Sequence, residues 1–534
     1  MEDCCGFSRR DFFRIASAGV PAPAAGPELS TVWAAAPSGA DGSGLYVRDL
    51  ELVTVTDTSF ILTWHTADGP QPAMPYHPAQ QPAPVVTDGL VRYGTDPGRL
   101  DMQAREQGDG TAYHYVEITG LRPGTTYYYQ AFSGGVAAAP RLYPRLTFPP
   151  GGLVIPADPA DPRLAECVAG LLSSGVVLSA SPGSVTTLVP PPGNLLFTVA
   201  LCNDVHIGET VSGLAAGDFP PGFSQGSGLP PYPDVMADSM ITDAKARGTD
   251  MLVVAGDLTA AALPGQAVAS RELLDRFGRL TRSGLLSPGD YVVARGNHDQ
   301  HAGSVLAGSA GSLDTVAAVY GLPHQTLTAT EVGGLRLIGL DTTTGSTAGG
   351  AIGDAQFTAL RTVLAGQPDQ PTLVFGHHPV TEESACTIVA GPSFGLGRDD
   401  AARLEALYAQ TPGVFLHHSG HTHRNLRTSS PAAAGVEFLE VAATKEYPGG
   451  FALLRVYQGG YMVNFYKSSG DLARQWSQTT SGEYLGLYPA YTLGSLTDRN
   501  HVVIRDFAAL SPLSSRRSSA ATPLSGQPAT ALQG

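Results

Sequence analysis

Two hydrophobic rhythms follow one another along the chain. From about Leu45 to Phe148 apolar and polar residues alternate in short runs: Leu50 to Val55, Ser59 to Thr66 around a central Trp64, Leu90 to Gly94, Tyr113 to Ile118 and Thr125 to Phe132. Turn residues separate these runs. Period-two alternation punctuated in this way predicts short half-buried strands, and this many of them predict an all-β sandwich over residues 45–148. Within it, Leu121-Arg122-Pro123-Gly124-Thr125-Thr126-Tyr127 has the form of a tyrosine corner, where a tyrosine hydroxyl ties the start of a strand to nearby backbone. Tyr127 to Tyr129 read as sandwich packing.

Residues 149–194 are a Pro-rich connector with one helix predicted over 161–174. From Leu195 the rhythm changes. Continuous apolar runs at 195–202, 251–255, 291–295, 335–340, 372–376 and 413–417 alternate with amphipathic stretches near 233–247, 268–282, 354–365 and 400–409. Strands buried on both faces and interleaved with helices predict an α/β domain. Further strands near 437–442, 451–457 and 460–466 close it, giving a domain over 195–470. Residues 471–534 read as an irregular extension, with a Ser/Ala/Pro-rich disordered tail from about 512.

Composition narrows the function. The 534 residues are 43% hydrophobic and 15% charged, enough to bury the cores of two or three domains. The formal charge is -15 and the only lysines are Lys245, Lys445 and Lys467, a field that repels a nucleic-acid polymer. No apolar run reaches 18 residues, so no membrane span is expected. Residues 1–36 resemble a twin-arginine export signal: Ser8-Arg9-Arg10-Asp11-Phe12-Phe13, a weakly apolar stretch, then Ala34-Ala35-Ala36. A periplasmic or extracellular location is therefore expected. Five cysteines are too few for a disulfide scaffold; Cys202 reads as a buried thiol, and spacing leaves a Cys167–Cys386 pair open.

The candidate chemistry sits where the apolar runs stop. They end in Asn203-Asp204-Val205-His206, Gly256-Asp257, Gly296-Asn297-His298-Asp299, Gly376-His377-His378-Pro379 and Gly420-His421-Thr422-His423. Ligands of open α/β sheets bind beyond the carboxyl ends of the strands, so five such ends converge on one place. Residues at i and i+2 of an extended segment point the same way, which lets Asp204 with His206, and His421 with His423, reach one cluster. The glycines allow sharp turns and close backbone approach. The single carboxylate of Asp257 can bridge two cations, and a cation pair supplies the positive charge that a lysine-poor protein lacks for holding a phosphoryl group.

In this order the blocks D-x-H, G-D, G-N-H-D, H-x-P and G-H-x-H resemble the calcineurin-like metallophosphoesterase family. The front segment, through Trp64, Tyr93-Gly94 and the LRPGTTYYY stretch, resembles the fibronectin type III-like N-terminal domain of purple acid phosphatases. The resemblance implies a β-sandwich core flanked by helices and a binuclear hydrolase of phosphate esters. It implies that Asp204, His206 and His423 hold one metal, that Asn297, His377 and His421 hold the other, and that Asp257 bridges them. His298 would contact phosphate and protonate the leaving group, and Asp299 would orient His298 and raise its pKa. A metal-bridging hydroxide would be the nucleophile, and the mixed N/O ligands suit iron, manganese or zinc.

Purple acid phosphatases have tyrosine where this chain has Ala260, and glycine where it has His206. The catalytic half therefore looks like the general or cyclic-nucleotide phosphodiesterase type, without an iron–tyrosinate. A small phosphomonoester or phosphodiester is the expected substrate. A cyclic-nucleotide phosphodiesterase is one alternative, and a binding protein using the sandwich beside a vestigial metal domain is another. Selectivity would lie in the Gly/Ser/Pro-rich loops 207–232, 300–330 and 381–398. Asn203 is a possible support for Asp204; His378, His417, His418, Arg295 and Arg424 read as structural neighbours of the motifs.

Overall fold

A computed structural model describes residues 39–40, 44–72, 81–141, 143, 146, 148, 183–213, 222–281, 289–300, 314–345, 347–486 and 488–513. The expected leader, the helix at 161–174, Cys167 and the tail from 514 lie outside these residues.

The front unit is a two-sheet sandwich. Its strands are β1 (Gly39–Ala40), β2 (Tyr46–Val55), β3 (Phe60–Ala67), β4 (Leu90–Gly94), β5 (Met102–Arg105), β6 (Tyr113–Ile118), β7 (Thr126–Ser133), β8 (Val136–Ala137) and β9 (Gly183–Thr186). One sheet runs β1-β2-β3-β6; the other runs β5-β4-β7-β8, with β9 also paired to β7. Inward residues of both sheets, among them Val47, Phe60, Trp64, Val91, Tyr127 and Val185, form its core. Trp64 donates its indole N–H to Ser133 Oγ at 2.9 Å and stacks on His114. The tyrosine corner is present: the Arg122 N–H donates to the Tyr127 hydroxyl at 3.1 Å. One boundary needs correction. Strand β9 lies in the stretch read as connector, yet it is part of the second sheet. At four residues flanked by Ser and Pro, it carries too little alternation to be seen.

The α/β unit is built on two six-stranded sheets. The first comprises β10 (Leu195–Cys202), β11 (Met251–Ala255), β12 (Tyr291–Ala294), β19 (Gly450–Tyr457), β20 (Gly460–Lys467) and β21 (Asn500–Ile504), in the order β12-β11-β10-β19-β20-β21. The second comprises β13 (Thr328–Val332), β14 (Leu335–Gly339), β15 (Thr372–Phe375), β16 (Val414–Ser419), β17 (Leu426–Ser429) and β18 (Glu437–Glu440), in the order β13-β14-β15-β16-β18-β17. Strands β10, β11 and β12 are mutually parallel, as are β14, β15, β16 and β18. The shared core is apolar, with Val199, Val253 and Leu454 from the first sheet facing Leu337, Leu373 and Leu416 from the second.

Helices cover the outer faces. Helices α1 (Tyr232–Ala246) and α2 (Pro264–Leu274) set Ala237, Met240, Leu273 and Leu274 against the first sheet. α3 (Thr315–Tyr320) adds Val316 and Tyr320 to this layer. On the second sheet, α4 (Asp354–Gly366) packs Leu360 and Leu364, and α6 (Arg398–Ala409) packs Leu404 and Tyr408; α5 (Glu382–Cys386) lies between them in the chain. α2 starts four residues before the expected 268 because Pro264 occupies its first turn, and it ends at Leu274 rather than 282.

The region after 470 also differs from expectation. α7 (Asp471–Thr480), α8 (Tyr488–Thr492) and α9 (Leu496–Arg499) pack on the domain, and β21 completes the first sheet beside β20. The buried residues of α7 are Ala473, Trp476, Ser477 and Thr480, a single inward face on an otherwise polar segment. Among the described residues, no helix is long and apolar enough to cross a membrane. The two units meet through a buried carboxylate: Glu51 on β2 accepts from the Tyr447 hydroxyl at 2.6 Å and pairs with Lys467 on β20 and Arg141. Burial pushes this carboxyl up, but Lys467 and Arg141 hold it down at about 2.

Candidate metal centre

Five of the parallel strands end by turning their last residues into one hollow. β10 delivers Asp204 and His206, β11 delivers Asp257, and β12 leads through Gly296 into a 3-10 turn, Asn297–Asp299. β15 delivers His377, and β16 leads through Gly420 to His421 and His423. Three of these ends belong to one sheet and two to the other, so the hollow straddles the sandwich.

The backbone is bent hard to achieve this. Among the described residues nine non-glycine positions have positive φ, and five are Asp204 (52°), His206 (49°), Asp257 (51°), His421 (68°) and His423 (56°). Asp and His tolerate this left-handed region better than most residues, at a cost. Gly256 also has φ +91°, and a Cβ there would lie 2.7 Å from His377 Nδ1. At Gly296 a Cβ would fall 2.1 Å from Asp257 Oδ1, so only glycine fits beside that carboxylate.

The side chains face one another acceptor to acceptor. Asp257 Oδ2 lies 3.2 Å from His377 Nε2 and 3.3 Å from His206 Nε2. His377 Nε2 is also 3.0 Å from Asn297 Oδ1 and 3.1 Å from His421 Nδ1. Asp204 Oδ1 lies 3.2 Å from His423 Nε2 and 3.6 Å from His206 Nε2. Two rings have an acceptor on their far side: His377 Nδ1 faces the Ala255 carbonyl at 2.9 Å and His423 Nδ1 faces Glu446 Oε1 at 2.6 Å, while His206 Nδ1 lies 2.9 Å from Glu209 Oε2 without hydrogen-bond geometry. In neutral His377 and His423 with the proton on that far side, the inward Nε2 atoms are bare lone pairs. Asp204 Oδ1 and His206 Nε2 are buried and make no hydrogen bond. Lone pairs packed at this spacing repel unless a cation or protons sit between them, so the donor set fits metal ions.

Three groups of potential ligands stand out, each with ligand atoms within 4.8 Å of one another: Asp204 with His206 and His423; Asp257 with His377 and His421; and His206 with Asp257 and His298. The first two match the two halves expected from the motifs, and Asp257 touches both. Electrostatics agree. Burial would push the carboxyls of Asp204 and Asp257 up, yet the neighbouring histidines hold both well below the usual range. Burial would push His377 and His423 down, yet Asp257 and Asp204 on one side, and Asp204 and Glu446 on the other, hold both at about 9. The field that draws protons onto these rings draws cations in their place.

Residues 197–425 match the family model of the calcineurin-like phosphoesterases, and residues 48–145 match that of the purple acid phosphatase N-terminal domain. The chain carries a calcineurin-like phosphoesterase domain. Among solved structures, a dimetal phosphatase from Danio rerio is similar at 13% identity over 52% of this chain and 98% of its own, with a TM-score of 0.37. Purple acid phosphatase PPD1 from yellow lupin (Lupinus luteus) seeds is similar at 14% identity over 79% of this chain and 72% of its own, with a TM-score of 0.35. No curated protein matches.

The residues around the motifs of this phosphoesterase domain sort clearly. Asn203 Nδ2 donates to Asp204 Oδ2 at 2.5 Å and to the Val441 carbonyl, which fixes the carboxylate. His378 is taken up by Thr342 and the Ala348 carbonyl, His417 by the Tyr408 hydroxyl, and His418 by the carbonyls of Cys202 and Leu439. Arg295 is buried against Asp314 and the Leu322 carbonyl, and Arg424 against Glu440 and Ser384. Each of the six is held by neighbours outside the donor set, although Asn203 Oδ1 and His417 Nε2 make no hydrogen bond.

The role expected for Asp299 is corrected. Its carboxylate accepts the N–H groups of Leu258, Thr259 and Gly296 at 2.9, 2.9 and 3.0 Å and the Thr259 hydroxyl at 2.8 Å. It therefore clamps the β11 and β12 exits together and does not touch the His298 ring. The His298 Nδ1 instead faces the Ala260 carbonyl at 2.7 Å, and burial pushes the imidazole down rather than up. His298 stays half-buried at the rim with its ring 4.5 Å from that of His206.

Glu209 and Glu446, which back two of the histidines, were not foreseen. The i,i+3 spacing of His206 and Glu209 is a faint local signal; Glu446 comes from a loop 23 residues after His423 and carries none.

Proposed function

We propose that this phosphoesterase hydrolyses small phosphate esters at a metal pair held by Asp204, His206, Asp257, Asn297, His377, His421 and His423. The observation that carries the reading is the convergence of bare acceptor atoms from five strand ends on one hollow. A metal pair there supplies charge neutralisation and an acidified water. The chain's own residues do the rest. Asp257, anchored through Oδ1 by the His298 N–H at 2.8 Å, holds its other oxygen toward both halves. His298, fixed by the Ala260 carbonyl, presents Nε2 to the phosphoryl group and in its imidazolium form passes a proton to the leaving oxygen. Phosphoryl transfer needs mainly positioning and neutralised charge, so no covalent nucleophile from the protein is required. The leader supports twin-arginine export to the periplasm or beyond, a route suited to a protein that folds and loads metal first.

The test is hydrolysis of mono- and bis-(p-nitrophenyl) phosphate with elemental analysis of the same sample. Asn297→Ala should abolish turnover and lower metal content. Unchanged activity and metal content in this variant would overturn the proposal, and the ratio of the two substrates reads monoester against diester preference.

A further inference from the structure

We propose that Lys445 is a positioning residue for one half of the metal centre, joining the two carboxylates that aim His206 and His423. The proposal rests on the dimetal reading above. Lys445 Nζ lies 2.5 Å from Glu209 Oε1 and 2.9 Å from Glu446 Oε2. The second oxygen of each carboxylate lies against a histidine: Glu446 Oε1 is hydrogen-bonded to His423 Nδ1 at 2.6 Å, and Glu209 Oε2 sits at ion-pair distance, 2.9 Å, from His206 Nδ1. The two rings then meet again on Asp204 Oδ1. The result is a closed circuit, His206–Glu209–Lys445–Glu446–His423–Asp204, with the ammonium at its back.

The lysine is built into place. It is buried, one of only three lysines in the chain, and its backbone N–H donates to the Asp204 carbonyl at 3.2 Å. Its own carbonyl accepts the Trp476 indole N–H at 2.8 Å, and Trp476 stacks on Tyr232, whose hydroxyl donates to Glu209 at 2.7 Å. The Tyr488 hydroxyl donates to Glu446. Without the ammonium, two buried carboxylates would face each other with one cation fewer, and each would swing away from the imidazole it aims.

The other half is held differently. His377 is aimed by the neutral Ala255 carbonyl, and no carboxylate contacts the far side of His421 among the described residues. Lys445 therefore serves the Asp204–His206–His423 half alone. Carboxylates behind metal-bound histidines fix the ring and raise its donor strength, and losing such support commonly costs 10–100-fold in affinity or activity.

The test is titration of the metal-stripped full chain with Mn2+. In a His421→Ala background, which leaves the Asp204 half, Lys445→Met should weaken binding by about 10–100-fold, and Lys445→Arg should restore part of it. In a His423→Ala background, Lys445→Met should leave the affinity of the remaining half unchanged. Equal loss in both backgrounds would reduce Lys445 to a general structural role and overturn the proposal, as would no loss in either. Glu446→Gln, which keeps the shape of the side chain, should show the same one-sided loss and stands in if Lys445→Met does not fold. Failure of the parent chain to take up Mn2+ would overturn the dimetal reading with it, an outcome distinct from any difference between variants.

Discussion

Replacing Asp257 with Asn separates a metal-binding carboxylate from a structural one. In the native site Oδ1 accepts the His298 N–H at 2.8 Å, while Oδ2 faces His377 Nε2 and His206 Nε2 at 3.2 and 3.3 Å. In Asp257→Asn the amide oxygen must take the Oδ1 place, because only an acceptor can meet the His298 N–H. The amide NH2 then takes the Oδ2 place and offers one hydrogen to each imidazole lone pair. Two hydrogen bonds at roughly 0.5–1.5 kcal/mol each would stabilise the metal-free variant by about 1–3 kcal/mol. This gain is conditional on pH. In the metal-free native protein the carboxylates hold His377 and His423 at about 9, so below that pH protons already sit between the opposed groups. A raised imidazole pKa contributes stability that is complete below the unfolded value near 6.5 and is lost as pH rises through 9. The variant should therefore melt above the native protein once pH exceeds about 9, with the difference shrinking toward neutrality. Metal binding should move the other way. Both halves lose their shared anion, and breaking one partner of a buried charge pair costs about 3–5 kcal/mol. That corresponds to roughly 10²–10⁴-fold in affinity for each ion. The assays are thermal melting of EDTA-treated protein across pH and elemental analysis after metal loading. A variant that keeps two ions, or whose metal-free form is less stable than the native protein above pH 9, would refute the placement of Asp257 between the two halves.

His298→Asn should lower turnover by about 10²–10⁴-fold on an alkyl phosphate, whose leaving oxygen needs a proton, and much less on p-nitrophenyl phosphate; equal losses on both would remove the proton-donor role. Tyr127→Phe deletes the hydroxyl that accepts the Arg122 N–H, so the sandwich should lose about 0.5–1.5 kcal/mol in a denaturant melt while metal content stays at the native level.

What the sequence made legible was the part whose information is local. The strands carrying the motifs are almost wholly buried and mostly apolar, and the metal-capable residues follow immediately, so β10, β11, β15 and β16 and the residues at their ends could be placed without knowing how the chain returns. His377 could be preferred to His378 by motif position, and the structure gives His378 a separate set of partners. What escaped depends on tertiary return. Glu446 and Lys445 reach the site from a loop after β18, Trp476 and Tyr488 from the chain beyond residue 470, and β9 joins its sheet across the connector. Asp299 was misassigned for a related reason. Adjacency to His298 suggested a partnership, but in a 3-10 turn its carboxylate reaches three backbone N–H groups of the strand exits instead.

Two independent features single out the same strand ends. One is backbone geometry: Asp204, His206, Asp257, His421 and His423 occupy a region of φ that side chains resist, and the glycines at 256 and 296 leave no room for a Cβ. The other is side-chain chemistry, with acceptors aimed at acceptors at about 3.0–3.6 Å in a buried hollow. Stability alone favours neither, since a chain selected only to fold would relax the turns and pair each acceptor with a donor. A bound cation pair would account for their coincidence: it would offset the strain of the turns and supply the positive charge that the opposed acceptors lack.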